Sequence, residues 1–195
     1  MTIGITGGIG SGKSYVSNLL QQKLDIPVYD CDREAKRLTA TDTEIRQKLV
    51  ALVGPEVFEG GALNKQFLAD YLFADPEHAS RVNAIVHPAV LKDFTKWSDK
   101  QESKPMVALE SAILFESGFN NFVDKVLFID APEDVRLHRA MLRDGADEAQ
   151  IRARMKMQHP EIHREQADYI INNFNSEDTR LLEQLETTLR RIANE

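Results

Sequence analysis

The sequence predicts an α/β protein: a parallel sheet flanked by helices and interrupted once by a wholly helical stretch. Three observations carry this reading. The chain opens on a short, almost wholly apolar run, Thr2 to Thr6, of the kind buried inside parallel sheets covered on both faces. Further short apolar runs alternate with amphipathic helical patterns, the order expected of α/β architecture. From about Thr41 to Lys104 the alternation stops and only helical periodicity remains.

The elements follow in order. After the first strand come glycines, then Val16, Leu19, Leu20 and Leu24 at helical spacing. IPVYD (26–30) reads as the second strand and REAKRL (33–38) as the start of a helix. In the helical stretch, Leu49, Leu52 and Val53 form one apolar patch, and Phe67, Leu68, Tyr71 and Leu72 another. VGPEVFEGGAL between them reads as a loop, and the polar SDKQESKP (98–105) closes the stretch. Strands return at MVALE (106–110) and KVLFID (125–130). A helix over 132–144 then begins on a proline. GADEAQIRARMKMQH is polar and charged, with little to bury, and His159-Pro160 reads as its boundary. DYIIN (168–172) is the last strand, and Leu181, Leu182, Leu185, Leu189 and Ile192 mark a closing helix. The expected organisation is a core of residues 1–40 and 105–195, with a lid at about 144–162, and a helical insertion at 41–104.

Composition narrows the function. The 195 residues are 42% hydrophobic and 28% charged, ordinary for one globular domain with an insertion. The net charge of -7 argues against a general nucleic-acid binder. Cys31 is the single cysteine, which excludes an intramolecular disulfide and a cysteine zinc cluster. No signal-peptide pattern opens the chain, and no apolar run approaches the roughly 20 residues that span a bilayer. The expectation is a cytoplasmic protein with no membrane or nucleic-acid partner, and nothing implies a protein partner.

Four glycines, Gly7, Gly8, Gly10 and Gly12, fall within six positions. Glycine loses the most conformational freedom on folding, so such crowding calls for a reason. Gly7, four residues, then Gly12-Lys13-Ser14 matches the phosphate-binding P-loop, between an apolar strand and an amphipathic helix as that motif requires. The loop wraps a phosphate with inward N–H groups that side chains would obstruct. The next helix aims its unsatisfied N–H groups at the same anion. Lys13 supplies a mobile charge for the β- and γ-phosphates, and Ser14 a hydroxyl for Mg²⁺. A nucleoside triphosphate is therefore the expected ligand.

Asp30 and Asp32 end the second strand, where alternation would put both on one side. Ligands of open α/β sheets sit beyond the carboxyl ends of the strands. One aspartate could accept the proton of an attacking hydroxyl, and the other could hold Mg²⁺ through water. The plainer reading is that Asp32 caps a helix beginning at Arg33. Arg136, Arg139 and Arg143 share a helical face, with Arg152, Arg154, Lys156 and Arg164 following. They read either as a salt-bridged surface or as a lid that closes over phosphates and excludes water. His87 reads as a structural histidine or a site residue, and Cys31 as packing.

TGGIGSGKS, DCD, HP, LFE, RDG with a later arginine and glutamine, and ADYIINN occur in the order and spacing that resemble dephospho-coenzyme A kinase, over nearly the whole chain. The resemblance implies a P-loop nucleotide-kinase-like parallel sheet, a helical substrate-binding insertion and a helical lid. It implies transfer of the γ-phosphate of ATP, with Mg²⁺, to the ribose 3′-hydroxyl of dephospho-CoA. Carried over by position, Asp32 resembles the base, and Lys13 and Arg143 act on the phosphates. Gly8, Ile9, Gly10, Ser11, Gly12, Lys13, Ser14 and Tyr15 line ATP, with Asn173 near the adenine. Thr6, Asp32, His87 and Glu116 fall on the acceptor side, and Ser14 and Asp30 on the metal. The chain departs from the family at Tyr15, commonly threonine, at Ala112, usually proline, and after Asn173, where a glycine is often found.

A P-loop kinase for another small nucleotide or nucleoside is the alternative. A GTP-dependent switch is not: Asp-x-x-Gly is absent, and Asn64-Lys65 is followed by Gln66-Phe67 rather than the guanine-reading aspartate.

Overall fold

A computed structural model describes residues 1–158, 160–174 and 178–195, so His159 lies outside the described residues. The chain forms two compact units, residues 1–29 with 101–195, and residues 30–100.

The first unit is built on a five-stranded sheet. Its strands are β1 (Thr2–Thr6), β2 (Val28–Asp30), β5 (Val107–Glu110), β6 (Lys125–Asp130) and β7 (Tyr169–Asn172). They lie in the order β2-β5-β1-β6-β7. β1 is parallel to both neighbours, with Ile5 opposite Glu110 on one side and Leu127 on the other. Being central, it is buried on both faces, which is why its sequence is apolar rather than alternating. Ile3 and Ile5 pack with Val16 and Leu20 of α1 (Lys13–Lys23) and with Leu181, Leu185, Leu189 and Ile192 of α9 (Asp178–Ile192). Each such side chain contributes about 1.5–3 kcal/mol by leaving water. Gly4 points the other way, and a Cβ there would meet Leu114 at 2.9 Å and Val123 at 3.0 Å.

Between β6 and β7 the described residues form α6 (Glu133–Asp144), α7 (Glu148–Lys156) and α8 (Pro160–Gln166). The polar stretch after α6 buries more than its composition predicts. Ile151 of α7 is fully buried against Leu137 and Ala140 of α6, with Met155 packed beside it. One apolar residue per turn on one side is enough to dock a short helix, and so sparse a pattern is invisible against its charged neighbours.

The second unit holds α2 (Cys31–Thr41), α3 (Thr43–Val53), α4 (Lys65–Ala74) and α5 (Pro76–Asp99). Asp42 ends α2 and starts α3, its Oδ1 accepting from the N–H groups of Glu44 and Ile45. The segment read as a loop carries a small antiparallel hairpin, β3 (Phe58–Glu59) with β4 (Ala62–Leu63). Gly60 and Gly61 turn it at φ of 57° and 87°, the left-handed pair a two-residue hairpin loop needs. α5 runs through Pro88, and Arg37 of α2 reaches Asp93 on it at 2.6 Å. No helix among the described residues is long and apolar enough to cross a membrane.

Candidate active site

The glycine loop joins the central strand to α1, and its backbone explains its composition. Gly10 and Gly12 sit at φ of 76° and 93°, where side chains are strained. A Cβ on Gly10 would overlap the backbone carbonyl of Arg136, and one on Gly12 the side-chain amide of Asn173. Gly12 also gives α1 no side-chain cap, and a helix start suits an anion. Lys13 folds back along the loop, its Nζ donating to the carbonyls of Gly7 at 2.8 Å and Gly8 at 3.2 Å.

One carboxylate in this unit was missed in the sequence. Glu110 closes β5, is 7% exposed, and accepts from two hydroxyls of α1. Ser14 Oγ lies 3.1 Å from its Oε1 and Ser17 Oγ 2.5 Å from its Oε2. The available signal was an apolar strand ending in a buried acid, MVALE, but its adjacency to β1 is a property of the sheet order. Two further hydroxyls, of Thr6 and Ser11, are wholly buried with no partner among the described residues. An unpaired buried hydroxyl costs about 1–3 kcal/mol, so both are unsatisfied polar groups beside the loop.

Asn173, expected near an adenine, holds the loop itself. It is 4% exposed, and its Nδ2 donates to the Ser11 carbonyl at 2.8 Å. Its own carbonyl accepts from Arg139 at 3.0 Å. Of the three arginines on one face of α6, Arg136 and Arg139 approach the loop glycines. Arg143 forks onto its neighbour Asp144, at 2.7 and 3.1 Å. Arg154 reaches the same carboxylate at 2.6 Å. The hydrogen bonds from Arg143 and Arg154 hold the Asp144 pKa down at about 2. Glu116 lies 3.4 Å from Nε2 of His163, whose ring stacks on Phe115. Tyr15 is exposed on α1, beyond the serine hydroxyl.

The remaining candidates belong to the second unit. The alternation expected for Asp30 and Asp32 does not hold, because β2 stops at Asp30 and α2 begins at Cys31. The helix cap is Asp30, not Asp32: its Oδ1 accepts from the Arg33 N–H at 2.9 Å. Asp32 lies exposed in the first turn of α2, where a negative charge suits the helix dipole. Cys31 is buried. His87 is half-buried in α5, and burial pushes its pKa below the ordinary histidine value. The unfolded chain then takes up this proton first as pH falls. The stability contributed by neutral His87 is complete above about 6.5 and declines as pH drops toward the lowered folded value. His87→Gln should flatten that acid decline in a pH series of thermal unfolding. A wild-type decline left unchanged by the substitution would contradict the assignment.

A parallel sheet whose central strand runs into a P-loop, with an acid on the adjacent strand bonded to the loop serine, defines a P-loop nucleotide-binding protein. Comparison with known proteins makes this specific. The family model for dephospho-CoA kinase matches residues 1–178. The dephospho-CoA kinase of Bacteroides fragilis (strain YCH46) is 49% identical over 172 residues, 88% of this chain and 83% of its own. That of Porphyromonas gingivalis is 46% identical over 175 residues, 89% of this chain and 86% of its own. The crystal structure of TT1252 from Thermus thermophilus superposes with a TM-score of 0.84 at 35% identity, covering 98% of this chain and 97% of its own. The chain belongs to the dephospho-CoA kinase family.

Proposed function

We propose that the chain transfers the γ-phosphate of ATP to the ribose 3′-hydroxyl of dephospho-CoA, with its residues in the following roles. The observation that supports this most is the loop from Gly7 to Ser14 tied through the Ser14 hydroxyl to buried Glu110. The loop N–H groups and the start of α1 bind the phosphates, and Lys13 swings from its own loop carbonyls to the β- and γ-oxygens. Phosphoryl transfer passes through a loose transition state, so positioning and charge neutralisation do most of the work.

The donor set at Ser14 fits Mg²⁺, a hard cation bound through one or two carboxylates together with substrate phosphates. A hydroxyl and a carboxylate stand 3.1 Å apart there. Bound there, Mg²⁺ would neutralise charge on the phosphate oxygens. Glu110 takes the role first given to Asp30, whose Oδ1 already caps α2. Glu110→Gln keeps the shape and removes the charge. The half-saturating Mg²⁺ concentration should rise about 10–100-fold, the usual effect of removing a group that orients a metal ligand. A Mg²⁺ titration identical to wild type would contradict the role.

Asp32 is proposed as the general base and the helical unit as the acceptor-binding part, with His87 on the acceptor side. Arg143 is proposed as the lid arginine, which requires it to leave Asp144. The test is ADP release with dephospho-CoA, AMP and adenosine compared as acceptors. Rapid turnover with dephospho-CoA alone supports the reading. A chain that phosphorylates AMP and ignores dephospho-CoA would reject it.

A further inference from the structure

A polar contact ties Gln158, a residue not among the expected site residues, to Ile9 of the P-loop. Gln158 accepts from the backbone N–H of Ile9, Oε1 to N at 2.8 Å. The donor is an N–H, so the acceptor must be the amide oxygen, and Nε2 keeps both hydrogens. Nε2 has no hydrogen-bond partner among the described residues. Gln158 lines a cavity of about 180 Å³ together with the cations Arg136, Arg152 and Lys156 and the carboxylates Glu133 and Glu161.

Ile9 is held on that side twice over. Its side chain packs against the Leu137, Ala140 and Ile151 cluster that joins α6 to α7. Its N–H is therefore a tie between loop and lid, not a free member of the phosphate cradle. The neighbouring residue shows which end of the nucleotide this is. Lys13 Nζ rests on the carbonyls of Gly7 and Gly8, and a P-loop lysine serves the β- and γ-phosphates. Gly8 is also where Arg136 Nη1 occupies the place of a Cβ, and where Pro160 of α8 would come within 3.6 Å of one.

We propose that Gln158 binds the γ-phosphate of the nucleotide: Oε1 fixes Ile9, and Nε2 donates to a γ-phosphate oxygen beside Lys13 and Arg136. This rests on the ATP-dependent kinase reading. It assigns to one amide two jobs that a lid must combine, setting the loop and sensing a triphosphate. An amide suits both, since a carboxylate would repel the phosphate and a lysine could not accept from Ile9.

The test is calorimetric binding of the non-hydrolysable β,γ-imido analogue of ATP and of ADP, both with Mg²⁺, to wild type, Gln158→Glu and Gln158→Met. The glutamate keeps an acceptor for Ile9 and removes the donor. The expected result is about tenfold weaker binding of the triphosphate analogue by both variants, the scale of one hydrogen bond to a charged group. ADP affinity should change by no more than about twofold, and Gln158→Glu should unfold at the wild-type temperature. Triphosphate affinity like wild type in either variant would overturn the proposal, leaving Gln158 a structural tie. Equal weakening of ADP and the analogue would also overturn it, since the γ-phosphate would then not be the group contacted. No acceptor is present, so a wild-type chain that ignored dephospho-CoA would reject the proposed function without touching this result.

Discussion

Lys13→Ala should lower turnover about 10³-fold, the upper range for removing one preorganised charge from a developing transition state. The fold should survive. Lys13 Nζ donates to the carbonyls of Gly7 and Gly8 in its own loop, and its side chain is not part of the apolar core. The unfolding temperature should therefore stay close to wild type while kcat collapses. Lys13→Arg separates charge from shape. A planar guanidinium is not a compact ammonium, so the arginine variant should recover little. Near-normal turnover in a folded Lys13→Ala chain would remove Lys13 from the mechanism.

Asp32→Asn should be nearly as damaging, by a different route. The amide is close to isosteric but can neither accept a proton nor draw the hydroxyl hydrogen as a carboxylate does. General-base contributions are typically about 10²–10⁴-fold, and the loss should fall on kcat more than on the KM for ATP. Because Asp30, not Asp32, caps α2, the substitution should cost little stability. Had Asp32 been the cap, its replacement would have been felt mainly as lost helix stability. A stable Asp32→Asn variant with unchanged kcat would assign the base elsewhere.

The five strands of the parallel sheet were legible because each is a short apolar run bounded by polar residues, and KVLFID coincides with β6 to the residue. The P-loop was legible because its spacing is dictated by local backbone geometry. What escaped was set by tertiary adjacency. Glu110 matters because β5 lies beside β1, and nothing in MVALE announces that neighbour. Ile151 docks α7 with a single fully buried side chain. The place where β2 gives way to α2 turns on one aspartate cap, so a helix begun at Arg33, two residues late, mistook which carboxylate did the capping. Asn173 was picked out by resemblance, yet its contact with Ser11 spans the chain from end to end and could only be seen folded.

This P-loop is expected to deliver phosphate to one hydroxyl of one acceptor. The most direct measurement is phosphorus NMR of the product formed from ATP, Mg²⁺ and dephospho-CoA. The expected result is one new phosphomonoester, on the ribose 3′ oxygen, formed in equal amount with ADP. Inorganic phosphate in place of that signal, or a phosphoryl group on any other oxygen, would contradict it.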